Sequence, residues 1–204
     1  MTLQSRWQQL PTEAINPASL AIDQFSSAEI IDVMLGEDRR MLAAVARERE
    51  RIALAVDIIT QCLRKGGRLV FVGAGTSGRL GILEAAEIPP TFGARPDLVQ
   101  AVIAGGKSAM AVAREGLEDR FDEGARSVSR LRPTKRDAFV GVSASGITPY
   151  VRGGLSVARK AGARIIFVTC DPAAELQTYV DLTIAMGVGP EVIAHGNRQI
   201  GRAH

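Results

Sequence analysis

A chain of 204 residues, 46 % hydrophobic and 23 % charged, has the composition of one ordinary folded domain and excludes a disordered or low-complexity protein. The net charge of +3 is small, the basic residues are scattered, and one Trp, two Tyr and six Phe give little to stack on bases, so no nucleic-acid partner is expected. Two distant cysteines, Cys62 and Cys170, exclude a disulfide scaffold, and no apolar run of about 18–20 residues or signal-type core occurs, so no membrane partner and a cytoplasmic location are expected.

Residues 1–25 read as irregular, with Pro11 and Pro17 against a helix. Ser26-Ser27-Ala28-Glu29 has the form of a capping box. Ile30, Ile31, Met34 and Leu35 follow at helical spacing, with a stop predicted at Gly36. A longer helix is predicted over about 38–64, with Met41, Val45, Ile52, Val56, Ile59 and Leu63 in one stripe and Arg47-Glu48-Arg49-Glu50-Arg51 as a solvated face. The stripe holds more apolar surface than one small sheet needs, which points to a homodimer. From Gly66 onward, apolar runs at 68–72, 98–103, 138–142, 164–169 and 182–185 read as buried strands. Helix-period stretches at 78–87, 107–131, 149–161 and 173–178 lie between them. The expected fold class is α/β: a doubly wound, parallel five-stranded sheet flanked by helices and preceded by N-terminal helices. Its parts are a helical segment over 1–65 packing on the core, a sheet domain over 66–193 and a tail over 194–204.

The only histidines, His195 and His204, fall in the last ten residues, so acid–base chemistry in the body must rest on carboxylates, Lys, Tyr or Cys. The first strand runs into Gly73-Ala74-Gly75-Thr76-Ser77-Gly78, formally a G-x-G-x-x-G. A dinucleotide site would need an acid after the second strand, where the chain reads Ile103-Ala104-Gly105-Gly106. Two hydroxyls at a helix N-terminus suit a monophosphate instead. The third strand ends in Ser143-Ala144-Ser145-Gly146-Ile147-Thr148, followed by Pro149 in the first turn of a helix. Either loop alone could be simple helix capping. Placed at the switch point of a doubly wound sheet, the two would face each other, with Gly75, Thr76, Ser77, Ser143, Ser145, Gly146 and Thr148 as candidate phosphate-binding residues. Glu84 and Glu87 share a helix face, and Pro89-Pro90 is expected to end that helix, leaving Glu87 in its last turn. A solvated helix-end glutamate is the plain reading; a buried one there is suited to hold a proton as a general acid.

The loops GAGTSG and SASGITP resemble the SIS (sugar isomerase) domain, a phosphosugar-binding α/β fold. The run GAGTSGRLGILEAAEIPPTFG, from Gly73 to Gly93, resembles more specifically the N-acetylmuramic acid 6-phosphate etherase family. Ile103-Ala104-Gly105-Gly106, Glu115-Gly116-Leu117-Glu118-Asp119 and Gly189-Pro190-Glu191-Val192 support the resemblance, as do Thr12-Glu13, Asn16-Pro17, Ile22-Asp23 and Glu37-Asp38. It covers about residues 12–193; from Ala194 the chain departs from the family's Gly-Ser-Thr-Arg-type continuation, which implies weak turnover. The resemblance implies a SIS-type fold, a homodimer and a sugar 6-phosphate substrate. It also implies cleavage of a D-lactyl ether, giving N-acetylglucosamine 6-phosphate and D-lactate in amino-sugar and cell-wall recycling. No metal and no cofactor are implied. Glu118 of the E-G-L-E-D run is the implied base, and Glu87 of Ala86-Glu87-Ile88-Pro89-Pro90 the implied acid. The alternative is a sugar-phosphate-binding regulator without catalysis, as in the more distant glucokinase regulatory protein, or an inactive relative. A plain SIS isomerase would account for the phosphate loops but not for the two glutamate motifs.

Overall fold

A computed structural model describes residues 14–174 and 179–193. Two 3-10 turns, Pro17–Ser19 and Ile22–Gln24, lead to helix α1, Ser27–Arg47. Its start follows the sequence reading: the Ser26 hydroxyl accepts the Glu29 N–H, and the Glu29 carboxylate accepts the Ser26 N–H at 2.7 Å. Its end does not. The helix continues through Gly36, since one glycine costs only about 1 kcal/mol relative to alanine. The break falls at Glu48, before α2, Arg49–Arg64. There the Glu48 carboxylate accepts the Ala185 N–H at 3.3 Å, and the Arg51 guanidinium donates to the Thr183 carbonyl at 3.0 Å. The charge run is therefore only partly a solvated face, because two of its members hold the last strand. The break also splits the predicted stripe. Met41 and Val56 of the stripe are exposed, whereas its Ile52 and Ile59 pack on the sheet together with Ala55 and Ile58.

The strands are β1 Leu69–Gly73, β2 Val99–Ile103, β3 Ala138–Val142, β4 Arg164–Thr169 and β5 Leu182–Ala185. They pair in parallel in the order β2-β1-β3-β4-β5, which puts the switch of direction between β1 and β3. Helix α3, Gly75–Phe92, joins β1 to β2 and lies on the same face as α2; Gly81 leaves room for it against Phe71 and Ala101. The opposite face carries α5, Phe121–Arg130, and α6, Pro149–Lys160, over a core of Val70, Val72, Phe139, Leu155, Ile165 and Phe167.

Two further predicted helices need correction. Helix α3 starts three residues before Gly78 and passes through Pro89 and Pro90 to a left-handed cap at Gly93, φ 61°. Proline's fixed φ is helical, so the pair loses hydrogen bonds near the end without ending the helix, and the αL glycine ends it. The stretch 107–131 is not one helix: α4, Ser108–Ala111, is separated from α5 by a loop with Gly116 at φ 72°. Residues 175–178 of the predicted 173–178 helix, and the tail over 194–204, lie outside the described residues. Among the described residues no helix is long and apolar enough to cross a membrane.

Candidate functional site

Beyond the carboxyl ends of β1 and β3 lies a cavity of about 600 Å³. Its first wall is the β1–α3 turn. A Cβ on Gly73 would press on the Gly78 backbone, and one on Gly78 would strike Ile103 and the Gly73 carbonyl, so both must be glycine for strand and helix to meet this closely. The residue before the helix is Ala74, whose methyl cannot cap it. The first-turn N–H groups of Gly75, Thr76 and Ser77 are thus left for an anion.

The second wall is the β3–α6 loop, held by its own hydroxyls. The Ser143 and Thr148 hydroxyl oxygens are 2.7 Å apart, and Ser143 Oγ also accepts the Gly146 N–H at 3.1 Å. Ser145 Oγ is 3.5 Å from Ser143 Oγ and from the Ile147 nitrogen, too far for strong bonds. Gly146 sits at φ 75° with Ala174 and Thr169 beside it, which leaves no space for a side chain. Of the predicted phosphate-binding residues, Gly75, Thr76, Ser77, Ser143, Ser145 and Thr148 line the cavity, whereas Gly146 shapes the turn from behind.

The third wall is the loop after α4. Glu118 lines the cavity half-buried, and its carbonyl accepts the Tyr150 N–H at 2.8 Å. The loop bearing the candidate base is thereby tied to the first turn of α6, next to the phosphate loop. Leu117 packs against Gly105, whose N–H donates to the Glu123 carboxylate at 3.3 Å. Glu87 is not brought to this cavity. It is exposed on α3, ten residues beyond Ser77 and thus about 15 Å further along the axis, and five residues short of the helix end. The helix-end setting expected for it is absent.

Four cavity residues carry charge that the sequence reading did not assign: Arg79, Arg114, Glu115 and Glu191. The signal for three of them was in quoted runs, since Arg79 follows GAGTSG directly, Glu115 opens E-G-L-E-D, and Glu191 lies in G-P-E-V. The segment before Glu191 is anchored by Asn16, whose buried side-chain amide donates to the Pro190 carbonyl at 3.3 Å. Nearby, burial pushes the Cys170 thiol pKa up, and the charge of Glu191 adds to that.

The family model described as the glucokinase regulatory protein N-terminal SIS domain matches residues 51–159. The N-acetylmuramic acid 6-phosphate etherase of Crocosphaera subtropica is 48 % identical over 189 residues, which are 93 % of this chain and 62 % of that protein. The chain thus spans about three-fifths of the length of the curated relatives it matches. Among solved structures, a phosphoheptose isomerase from Francisella tularensis superposes with a TM-score of 0.64 at 22 % identity, over 79 % of this chain and 86 % of that one. The Vibrio vulnificus NanR protein, solved in complex with ManNAc-6P, gives 0.56 at 18 % identity, over 88 % of this chain and 59 % of NanR. Likeness at this identity establishes the shared fold, and the order β2-β1-β3-β4-β5 with its two hydroxyl loops is its local expression. Fold, motifs and sequence identity agree: the chain belongs to the SIS family, on the branch of the N-acetylmuramic acid 6-phosphate etherases.

Proposed function

We propose that the chain binds a sugar 6-phosphate between the β1–α3 and β3–α6 loops and acts on N-acetylmuramic acid 6-phosphate as an ether-cleaving lyase. The observation that carries this reading is a single cavity joining both hydroxyl loops to Glu118. The phosphate takes the first-turn N–H groups of α3 and the hydroxyls of Thr76, Ser77 and Ser145. Ring opening exposes an aldehyde at C1, which acidifies the C2 proton. Glu118 removes that proton, the C3–O bond breaks with its electron pair going to the lactyl oxygen, and Glu87 protonates the departing oxygen. Water then adds to C3 of the unsaturated aldehyde, giving N-acetylglucosamine 6-phosphate and D-lactate.

Glu87 enters this scheme from a second copy of the chain. It shares one face of α3 with Leu80 and Leu83, which are 55 % and 53 % exposed, so a copy docked on that stripe carries Glu87 with it. The position of Glu87 outside its own cavity is also what favours the second reading, a sugar-phosphate-binding regulator.

Incubation with N-acetylmuramic acid 6-phosphate in D2O separates the two. The lyase reading expects lactate release and deuterium at C2. Glu118→Gln should abolish both, and Glu87→Gln should stop release while retaining exchange, with losses on the order of 10²–10⁴ in rate. Binding with neither exchange nor lactate would overturn the lyase in favour of the regulator.

A further inference from the structure

We propose that Arg79 receives the second anion of the substrate, the carboxylate of the lactyl ether, and so makes the cavity selective for a sugar-acid phosphate over a neutral sugar phosphate. This rests on the sugar-phosphate reading above and adds a ligand contact to it. Among the described residues only two arginines are withdrawn from the surface, Arg68 and Arg79. Arg68 has a buried counterion, with Asp137 at 2.8 Å. Arg79 has none. Its Nε donates to the Met110 carbonyl at 3.0 Å, and no carboxylate among the described residues lies within ion-pair distance, although Glu115, Glu118 and Glu191 line the same cavity.

A partly exposed guanidinium that is held, among the described residues, by one neutral carbonyl has donors and charge left for an anion. With Nε occupied, the edge formed by its two Nη groups remains, a planar fork that fits a carboxylate with two parallel hydrogen bonds. The phosphate does not need it, since the α3 N-terminus and the loop hydroxyls form that end of the cavity. Arg79 follows Ser77 by two residues, so the two side chains leave the helix roughly 200° apart and reach different parts of a ligand. One anion at the hydroxyl end and another at Arg79 is the charge pattern of a 6-phosphorylated sugar bearing a lactyl acid.

The test is calorimetric, with Glu118→Gln as the parent so that substrate stays intact. Three ligands are titrated: N-acetylmuramic acid 6-phosphate, its lactyl carboxamide, and N-acetylglucosamine 6-phosphate. The parent should bind the carboxylate ~10-fold or more tighter than the carboxamide. Adding Arg79→Ala should make the two equal and leave N-acetylglucosamine 6-phosphate unchanged, which also reports an intact fold. Arg79→Lys, keeping the charge without the fork, should retain part of the preference. No preference in the parent, or a preference that survives Arg79→Ala, overturns the proposal. So does a uniform loss for all three ligands in both Arg79 variants. A preference that depends on Arg79, in a chain that releases no lactate with Glu118 restored, upholds the carboxylate site and overturns the lyase. Lactate release with the preference unchanged in Arg79→Ala does the reverse, and binding of none of the three ligands overturns both.

Discussion

Ser143, Ser145 and Ser77 differ in what already occupies their hydroxyls. Ser143 is committed to Thr148 and to the Gly146 N–H; Ser143→Ala leaves the buried Thr148 hydroxyl without this partner, while the Gly146 N–H keeps the Ser143 carbonyl, and should lower stability by about 1–3 kcal/mol in urea denaturation. Ser77 and Ser145 line the cavity without a short bond of their own. Ser77→Ala and Ser145→Ala should instead each weaken sugar-phosphate binding by roughly 1.5–3 kcal/mol in calorimetry, with stability nearly unchanged. Unchanged affinity in both would move the phosphate elsewhere. The sequence put these hydroxyls on two loops, which the structure brings to one cavity, but could not rank them, because whether a hydroxyl is saturated depends on the rotamer of a residue several positions away. The same limit hid Arg79, which reads in sequence as one more exposed helix arginine until it is seen to have no counterion among the described residues.

Between elements, the seam of α5 and α6 fixes where Glu118 stands. A Cβ on Gly124 would run into the Tyr150 carbonyl, and one on Gly153 into that of Phe121, so the two helices touch through glycine backbone. Gly153→Ala should cost about 1–3 kcal/mol by overpacking. Because the Tyr150 N–H holds the Glu118 carbonyl, it should also slow C2 exchange more than it weakens phosphate binding. Equal effects on both would make the seam purely structural. At the other end of the sheet, burial by itself would raise the Asp137 pKa. Hydrogen bonds from the Arg68 guanidinium, the Thr134 N–H and the Arg68 N–H, with the Arg68 charge, outweigh this and hold it below the usual carboxylate range. A depressed folded pKa contributes stability that is present above the unfolded value of about 4 and is lost as pH falls through the folded one. Urea midpoints should therefore drop below about pH 4 in the parent, while Asp137→Asn, less stable at pH 7, should lose less there; parallel curves would remove Asp137 from acid unfolding. The strands were legible because buried parallel strands are continuous apolar runs, and three of the five have the predicted bounds. Helix ends were less so. Gly36 and Pro89-Pro90 are local stop signals that hydrogen bonding and packing outvoted, whereas the true break at Glu48 depends on β5, more than a hundred residues away.

For the whole molecule, the apolar surplus seen in the sequence is real but differently placed: Met34, Leu35 and Leu42 on α1 and Leu80, Leu83 and Phe92 on α3 are exposed. Surface of this kind marks an association site more often than a bare monomer face, and sedimentation at micromolar concentration should give a dimer. The proposed mechanism asks more of that dimer than mass, since each cavity holds its own Glu118 and would take Glu87 from the other copy. Mixing Glu87→Gln chains with Glu118→Gln chains tests this directly. Random exchange makes half the dimers mixed, and each mixed dimer has one complete site out of two. About a quarter of the parent's lactate release should therefore return from two inactive preparations. Were Glu87 to act in its own copy's cavity, no combination would complete a site and the mixture would stay inactive. Mixed dimers can be confirmed by tagging one variant and recovering the other with it, so that silence in a preparation known to contain them would exclude donation across the interface.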